Sequence, residues 1–185
     1  MRVFCNGGVS DAGGFYTMAI EAKNGSGNGS KKIVILGCGR VGSTLAKQMS
    51  SEGHDVTVLD QTSDSFRRLG TKFKGLRLVG SGLDQDLLNR AHLSEADVFI
   101  AVTQGDNTNI MAAQIAREVF SIKRVMARIY DPIRAQAYRE LGITTLCTTT
   151  LAAGLIHDAA LSDSSDSLLQ QAAQGWDKLY LEQRS

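Results

Sequence analysis

The chain has 185 residues and a mass of 19.9 kDa, which is room for one ordinary domain plus tails. Lys and Arg total 20 against 19 Asp and Glu, so the formal charge of +1 supplies no basic footprint for wrapping nucleic acid. Hydrophobic residues make up 43% of the chain, enough for a packed core, and wholesale disorder is excluded.

Residues 1–30 hold seven of the 19 glycines, and 24–30 read as a flexible linker. A short element of open type fits between Phe15 and Ile20, and no function is drawn from this extension. From Lys31 the texture changes. Ile33 to Leu36 form a continuous apolar run, read as a strand buried on both faces. Val41, Leu45 and Met49 then recur at helical spacing, and Gly53 stops the helix. Val56 to Leu59 form a second strand ending at Asp60, Ser63 to Leu69 a short helix, and Leu76 to Val79 a third strand. Leu83 to Ala91 read as a helix led by Ser81 and Asp84 in a capping-box pattern. Val98 to Val102 are a fourth strand. Asp106 to Phe120 form one helix, with Ile110, Ala113, Ile115 and Val119 on its inner side. Arg124 to Ile129 are the fifth strand, Ile133 to Leu141 a helix behind Pro132, Thr144 to Cys147 the sixth strand, and Leu151 to Leu161 a last helix.

Six strands alternating with helices predict an α/β fold: a doubly wound, parallel, Rossmann-type sheet in the order 3-2-1-4-5-6. The expected domain covers 31–161. Residues 162–167 are a polar linker, and Leu168 to Leu181 are spaced as a candidate amphipathic helix. Cys5, Cys38 and Cys147 form neither a disulfide framework nor a metal-ligand spacing, as expected of a reducing compartment. No apolar run reaches the roughly 18 residues of a membrane-spanning helix, and no signal-peptide order opens the chain, so a soluble, cytoplasmic protein is expected.

The chemistry concentrates after the first strand. Gly37, Gly39 and Gly42 form G-x-G-x-x-G between a buried strand and a helix, around Cys38, Arg40 and Val41. In such a loop the first glycine permits the turn, the second lets backbone approach a pyrophosphate, and the third lets the helix pack on the sheet. The helix N-terminus then offers unpaired N–H groups and a positive dipole end to phosphate. Asp60, 18 residues after Gly42, is placed to accept ribose hydroxyls and to disfavour a 2′-phosphate, with Gln61 beside it. Gly80 and Ser81 follow the third strand, and Thr103 and Gln104 the fourth, at the same sheet edge. Arg40 can fork onto phosphate. Arg128, inside a strand, needs an acid or a phosphate as partner.

Taken together, residues 31–160 resemble the nucleotide-binding subdomain of the RCK family, also called KTN or TrkA-N. The resemblance rests on Ile33 through Gly42, Val58-Leu59-Asp60, Ala101-Val102-Thr103 with Asp106 through Ile110, and Ala127-Arg128. It implies a subunit on the cytoplasmic face of a potassium channel or transporter. Such subunits bind NAD(H), ATP, ADP or AMP, change conformation, and pair into dimers or larger rings. It places Gly37 to Val41 on the pyrophosphate, Asp60 on the adenosine ribose, Thr103, Gln104 and Arg128 on the other half of the ligand, and Arg40 on terminal phosphates. Ser81 departs from the family, which usually has an acid there, and the chain has little length after Leu161 for the second subdomain that members often carry.

Nothing catalytic accompanies the cleft motifs. His54, His92 and His157 lie outside any nucleophile or metal signature, and Tyr130, Tyr138 and Tyr180 are followed four residues on by Arg134, Gly142 and Arg184 rather than by lysine. The expected function is therefore a regulatory nucleotide sensor without enzymatic activity. An NAD-dependent oxidoreductase with its substrate domain elsewhere, and a pure assembly module, are the alternatives.

Overall fold

The computed structural model describes residues 29–161. The expected element at Phe15–Ile20, the polar linker at 162–167, the amphipathic helix at 168–181 and Cys5 lie outside the described residues. Six parallel strands form one sheet in the order β3-β2-β1-β4-β5-β6, as the alternation predicts. The strands are β1 (Lys32–Leu36), β2 (Asp55–Asp60), β3 (Leu76–Val79), β4 (Val98–Ala101), β5 (Arg124–Arg128) and β6 (Thr144–Leu146). The helices are α1 (Arg40–Ser51), α2 (Gln85–Arg90), α3 (Asp106–Gln114), α4 (Pro132–Glu140) and α5 (Thr148–Leu161).

Two apolar layers sandwich the sheet. On one face α1, with Ala46, Leu45 and Met49, covers Ile33, Ile35, Val56 and Val58, helped by Leu69 from a 3-10 turn at Ser63–Leu69. On the other, Leu87 and Leu88 of α2 and Ala112 and Ala113 of α3 cover Val34, Leu36, Phe99 and Val125. Because successive side chains of a strand point to opposite faces, β1 needs apolar residues throughout, and Ile33 to Leu36 are all buried. β5 and β6 are covered on one side only. Val125 and Ala127 are buried against the helices, whereas Met126 and Leu146 are 38% and 42% exposed on the face that α1 leaves open. An open groove of about 460 Å³ floored by Ile33, Val98, Ile100 and Met126 runs along that face.

Four local expectations are corrected. The capping box does not form. Asp84 is itself the N-cap of α2, accepting from the Asp86 N–H at 3.0 Å, and the Ser81 hydroxyl accepts from the Leu83 N–H in the turn before it. The helix from Asp106 is not uniform, because α3 passes into a π turn at Ile115–Val119. The extra residue per turn rotates the face, so Ala116 is buried and Val119, expected inside, is 55% exposed. The segment at 63–69 is 3-10. The last helix starts at Thr148, directly after β6, with the Leu151 N–H closing on the Cys147 carbonyl.

The helix–sheet junction is held by a contact with no spare room. A Cβ at Gly42 would lie 1.8 Å from the Gly37 carbonyl oxygen, whereas one at Gly39 would meet nothing within 4 Å. Gly42→Ala should therefore destabilise the domain by about 2–4 kcal/mol in urea unfolding, and Gly39→Ala by no more than about 1 kcal/mol.

Candidate functional site

The sheet order reverses between β1 and β4, and a cleft of about 650 Å³ opens there at the carboxyl ends of the strands. This is where ligands enter open α/β sheets, since the helices on either side diverge. Three segments build it. The loop after β1 contributes Gly37, Gly39, Arg40 and Val41; the segment after β2 contributes Asp60, Gln61, Thr62, Ser65 and Arg68; the ends of β4 and β5 contribute Thr103, Gln104, Gly105, Arg128 and Tyr130.

Gly37 has φ of +104°, and its Cα sits so close to the Thr103 amide that a Cβ would come within 2.9 Å of it. Only glycine takes that turn at no steric cost. The chain then enters α1 with Gly39 as N-cap and no side chain satisfying the first N–H groups. A second helix N-terminus, that of α3 with Gly105 as N-cap, is likewise without a side-chain cap, and Gly105 and Thr108 also line the cleft. Two sets of free backbone donors, each at the positive end of a helix dipole, thus face one space. Three arginines line that space against a single carboxylate, Asp60.

Asp60 does structural work as well. One carboxylate oxygen accepts from the Cys38 N–H at 2.7 Å and the other from the Thr62 N–H at 2.9 Å, tying the glycine loop to the end of β2. Each oxygen retains a lone pair for a further donor. The Cys38 side chain turns away into the core, where it is fully buried and its thiol donates to the Ser65 carbonyl. Burial pushes that thiol up to about 11, with the Asp60 charge adding to the effect.

The ends of β4 and β5 are locked by Asn109, which is completely buried. Its Oδ1 accepts from the Thr103 N–H and hydroxyl, and its Nδ2 donates to the Thr103 and Arg128 carbonyls at 3.1 and 2.8 Å. All four hydrogen-bonding positions of the amide are used. Arg128, half-buried, donates from Nη2 to the Thr103 carbonyl at 2.6 Å, and its guanidinium lies 4.7 Å from the centre of the Tyr130 ring. Of the two expected partners, an acid or a phosphate, no acid meets it among the described residues. A backbone carbonyl and an aromatic face take that place.

Of the residues predicted for the site, Gly37, Gly39, Arg40, Val41, Asp60, Gln61, Thr103, Gln104 and Arg128 come together in the cleft. Cys38, Gly42, Gly80 and Ser81 do not line it. Cys38 and Gly42 support the loop from behind, and Gly80 packs against Leu87, leaving Gly82 as the lining residue after β3. Thr62, Ser65, Arg68 and Tyr130 line the cleft unannounced by any motif, and Thr108 was visible only within a family-like string. Asn109 was visible only as part of a family-like string. Among the described residues no cluster of His, Cys, Asp and Glu could hold a metal ion, and no helix is long and apolar enough to cross a membrane.

The TrkA-N domain family model matches residues 33–149. The chain belongs to the TrkA-N domain family. Among curated relatives, the Trk system potassium uptake protein TrkA of Streptomyces coelicolor is 55% identical over 116 residues, covering 63% of this chain and 52% of that protein. A TrkA homolog of Methanothermobacter thermautotrophicus is 37% identical over 111 residues, 60% of this chain and 51% of that protein. This chain thus spans about half the length of the relatives it matches. Among solved structures, the TrkA-N domain of the inner membrane protein ybaL from Escherichia coli superimposes with a TM-score of 0.64 at 17% identity, covering 73% of this chain and 99% of that one. The Kef C-terminal domain of Shewanella denitrificans in its AMP-bound form gives 0.62 at 19% identity, over 83% and 98%. GsuK bound to ADP gives 0.61 at 18% identity, over 82% and 42%. These likenesses carry the TrkA-N fold.

Two consequences can be measured. Asn109→Ala removes the partner of the Thr103 amide and of the Arg128 carbonyl and should cost about 2–4 kcal/mol by urea unfolding. The Cys38 thiol is raised in the folded state, so its contribution to stability is complete below the ordinary thiol pKa and lost as pH rises through about 11. Unfolding midpoints should fall between pH 9 and 11, and fall less in Cys38→Ala.

Proposed function

We propose that this TrkA-N domain is the nucleotide-sensing part of a potassium uptake system. It binds NAD(H) or an adenine nucleotide in the cleft and regulates a membrane channel or transporter subunit from the cytoplasmic side. The observation that carries the reading is the convergence of two uncapped helix N-termini with Arg40 and Arg68 on a space holding one carboxylate. Backbone donors and arginines suit phosphate, and Asp60 suits a ribose diol. The relatives named as Trk potassium uptake proteins supply the process, and neighbours titled as bound to AMP, ADP and NAD supply the ligand class. Regulation then follows from differential binding: a nucleotide that fits one conformer of the strand-end loops better shifts the population toward it.

The reading includes a second copy of the chain. α5 is apolar, with Leu151, Ile156 and Leu161 all exposed, and the face of β4 to β6 is apolar and open. The two surfaces sit on one chain without meeting, which a reciprocal pair would resolve.

Calorimetric titration of NAD, NADH, ATP, ADP and AMP tests the sensor, and a chain that binds none of them at millimolar concentration would sink it. Asp60→Ala should weaken adenine-nucleotide binding severalfold, and an unchanged affinity would move the ribose elsewhere. Light scattering should give a dimer or larger assembly, shifted toward monomer by Ile156→Glu; a monomeric parent chain would remove the second copy.

A further inference from the structure

The far end of the cleft differs in chemistry from the rest. Among the described residues that line it, Tyr130 is the one aromatic side chain. Beyond Thr103 an aromatic side chain, Tyr130, forms part of the wall, with its residue 42% exposed. It is held unusually firmly for an exposed residue. Its N–H donates to both oxygens of Asp106 at 3.0 and 3.1 Å, the next N–H, of Asp131, reaches the same carboxylate, and its carbonyl accepts the Cys147 thiol. The guanidinium of Arg128 braces the ring at 4.7 Å.

The same arrangement makes Arg128 a poor phosphate clamp. Its Nη2 is engaged by the Thr103 carbonyl, its Nε is buried without a partner, and its guanidinium carbon lies 4.7 Å from the centre of the Tyr130 ring. A bidentate grip needs two parallel donors on one edge. What the far end offers instead is a fixed ring, the hydroxyls of Thr103 and Thr108 and the amide of Gln104. That set suits a flat heteroaromatic ring carrying a polar substituent, since aromatic stacking gains most when the protein ring is already immobile.

We propose that Tyr130 is a specificity-determining residue. Its ring, braced by Arg128, packs against the second, non-adenine ring of a dinucleotide, so the cleft favours a dinucleotide over ADP or AMP. The proposal rests on the nucleotide reading above and adds to it a preference among nucleotides and the residue that sets it.

The test is calorimetry with NADH, NAD, ADP and AMP on the parent chain and on Tyr130→Ala, Tyr130→Leu and Tyr130→Phe, each checked for an unchanged melting transition. The parent should bind NADH or NAD more tightly than ADP. Tyr130→Ala should lose roughly 10-fold for the dinucleotide, the order expected for a lost stacking contact, with ADP and AMP changed less than about 2-fold. Tyr130→Leu should lose nearly as much, and Tyr130→Phe should keep the parent's preference. Equal losses for NADH and ADP, no loss in Tyr130→Ala, or a Phe variant as weak as Ala would each overturn the assignment. A parent chain that binds no nucleotide would instead overturn the sensor reading itself, and a parent that binds ADP more tightly than NADH would overturn this proposal alone.

Discussion

Everything in the cleft depends on how closely α1 can approach the end of β1. The Gly37 carbonyl sits where a side chain at Gly42 would begin, and Gly37 itself lies against the Thr103 amide. Two absent Cβ atoms thus bring a helix, a strand end and the neighbouring strand's end within one van der Waals layer. Free backbone donors at the start of α1 face the crevice because of that approach, and no basic surface is required for anion binding. A near-zero net charge is compatible with the proposed anion-binding cleft for this reason: backbone dipoles would do much of the work that clustered lysines would otherwise do.

The second organising feature is the reuse of a few polar groups as both structure and site. Asp60 holds the backbone of Cys38 and Thr62 while keeping capacity for a ligand. Asn109 spends its whole hydrogen-bonding capacity on the two strand ends, which fixes Thr103 and Arg128 relative to each other. Asp106 caps the turn that carries Tyr130. Each segment of the cleft wall is therefore tied to another across the sheet.

The opposite side of the molecule is unfinished by the same criteria. A doubly wound sheet normally covers both faces, yet β5 and β6 bury only their helix side, and α5 carries exposed leucine and isoleucine away from the sheet. Apolar area on this scale is what an interface covers in a folded assembly. The cleft lies at the carboxyl ends of β1, β4 and β5, and the groove runs along the same strands through Ile33, Val98, Ile100 and Met126.

Much of this was legible in the residues alone. The strand runs, their spacing and the glycine loop determined a parallel sheet, its order and the edge at which a ligand enters, because hydrophobic period and backbone sterics are local properties. Asp60 and Arg128 were also legible, as charged groups at strand ends. Tertiary structure decided what those groups touch. Arg128 meets a ring and a carbonyl rather than an acid, since its partner lies two residues on, beyond a strand end whose direction no pattern gives. The π turn at Ile115–Val119 turned Val119 outward, a one-residue slip that a helical period cannot reveal. Arg68, Asn109 and Tyr130 enter the site through long-range packing, and contacts between segments 20 or more residues apart leave no periodic trace in the chain.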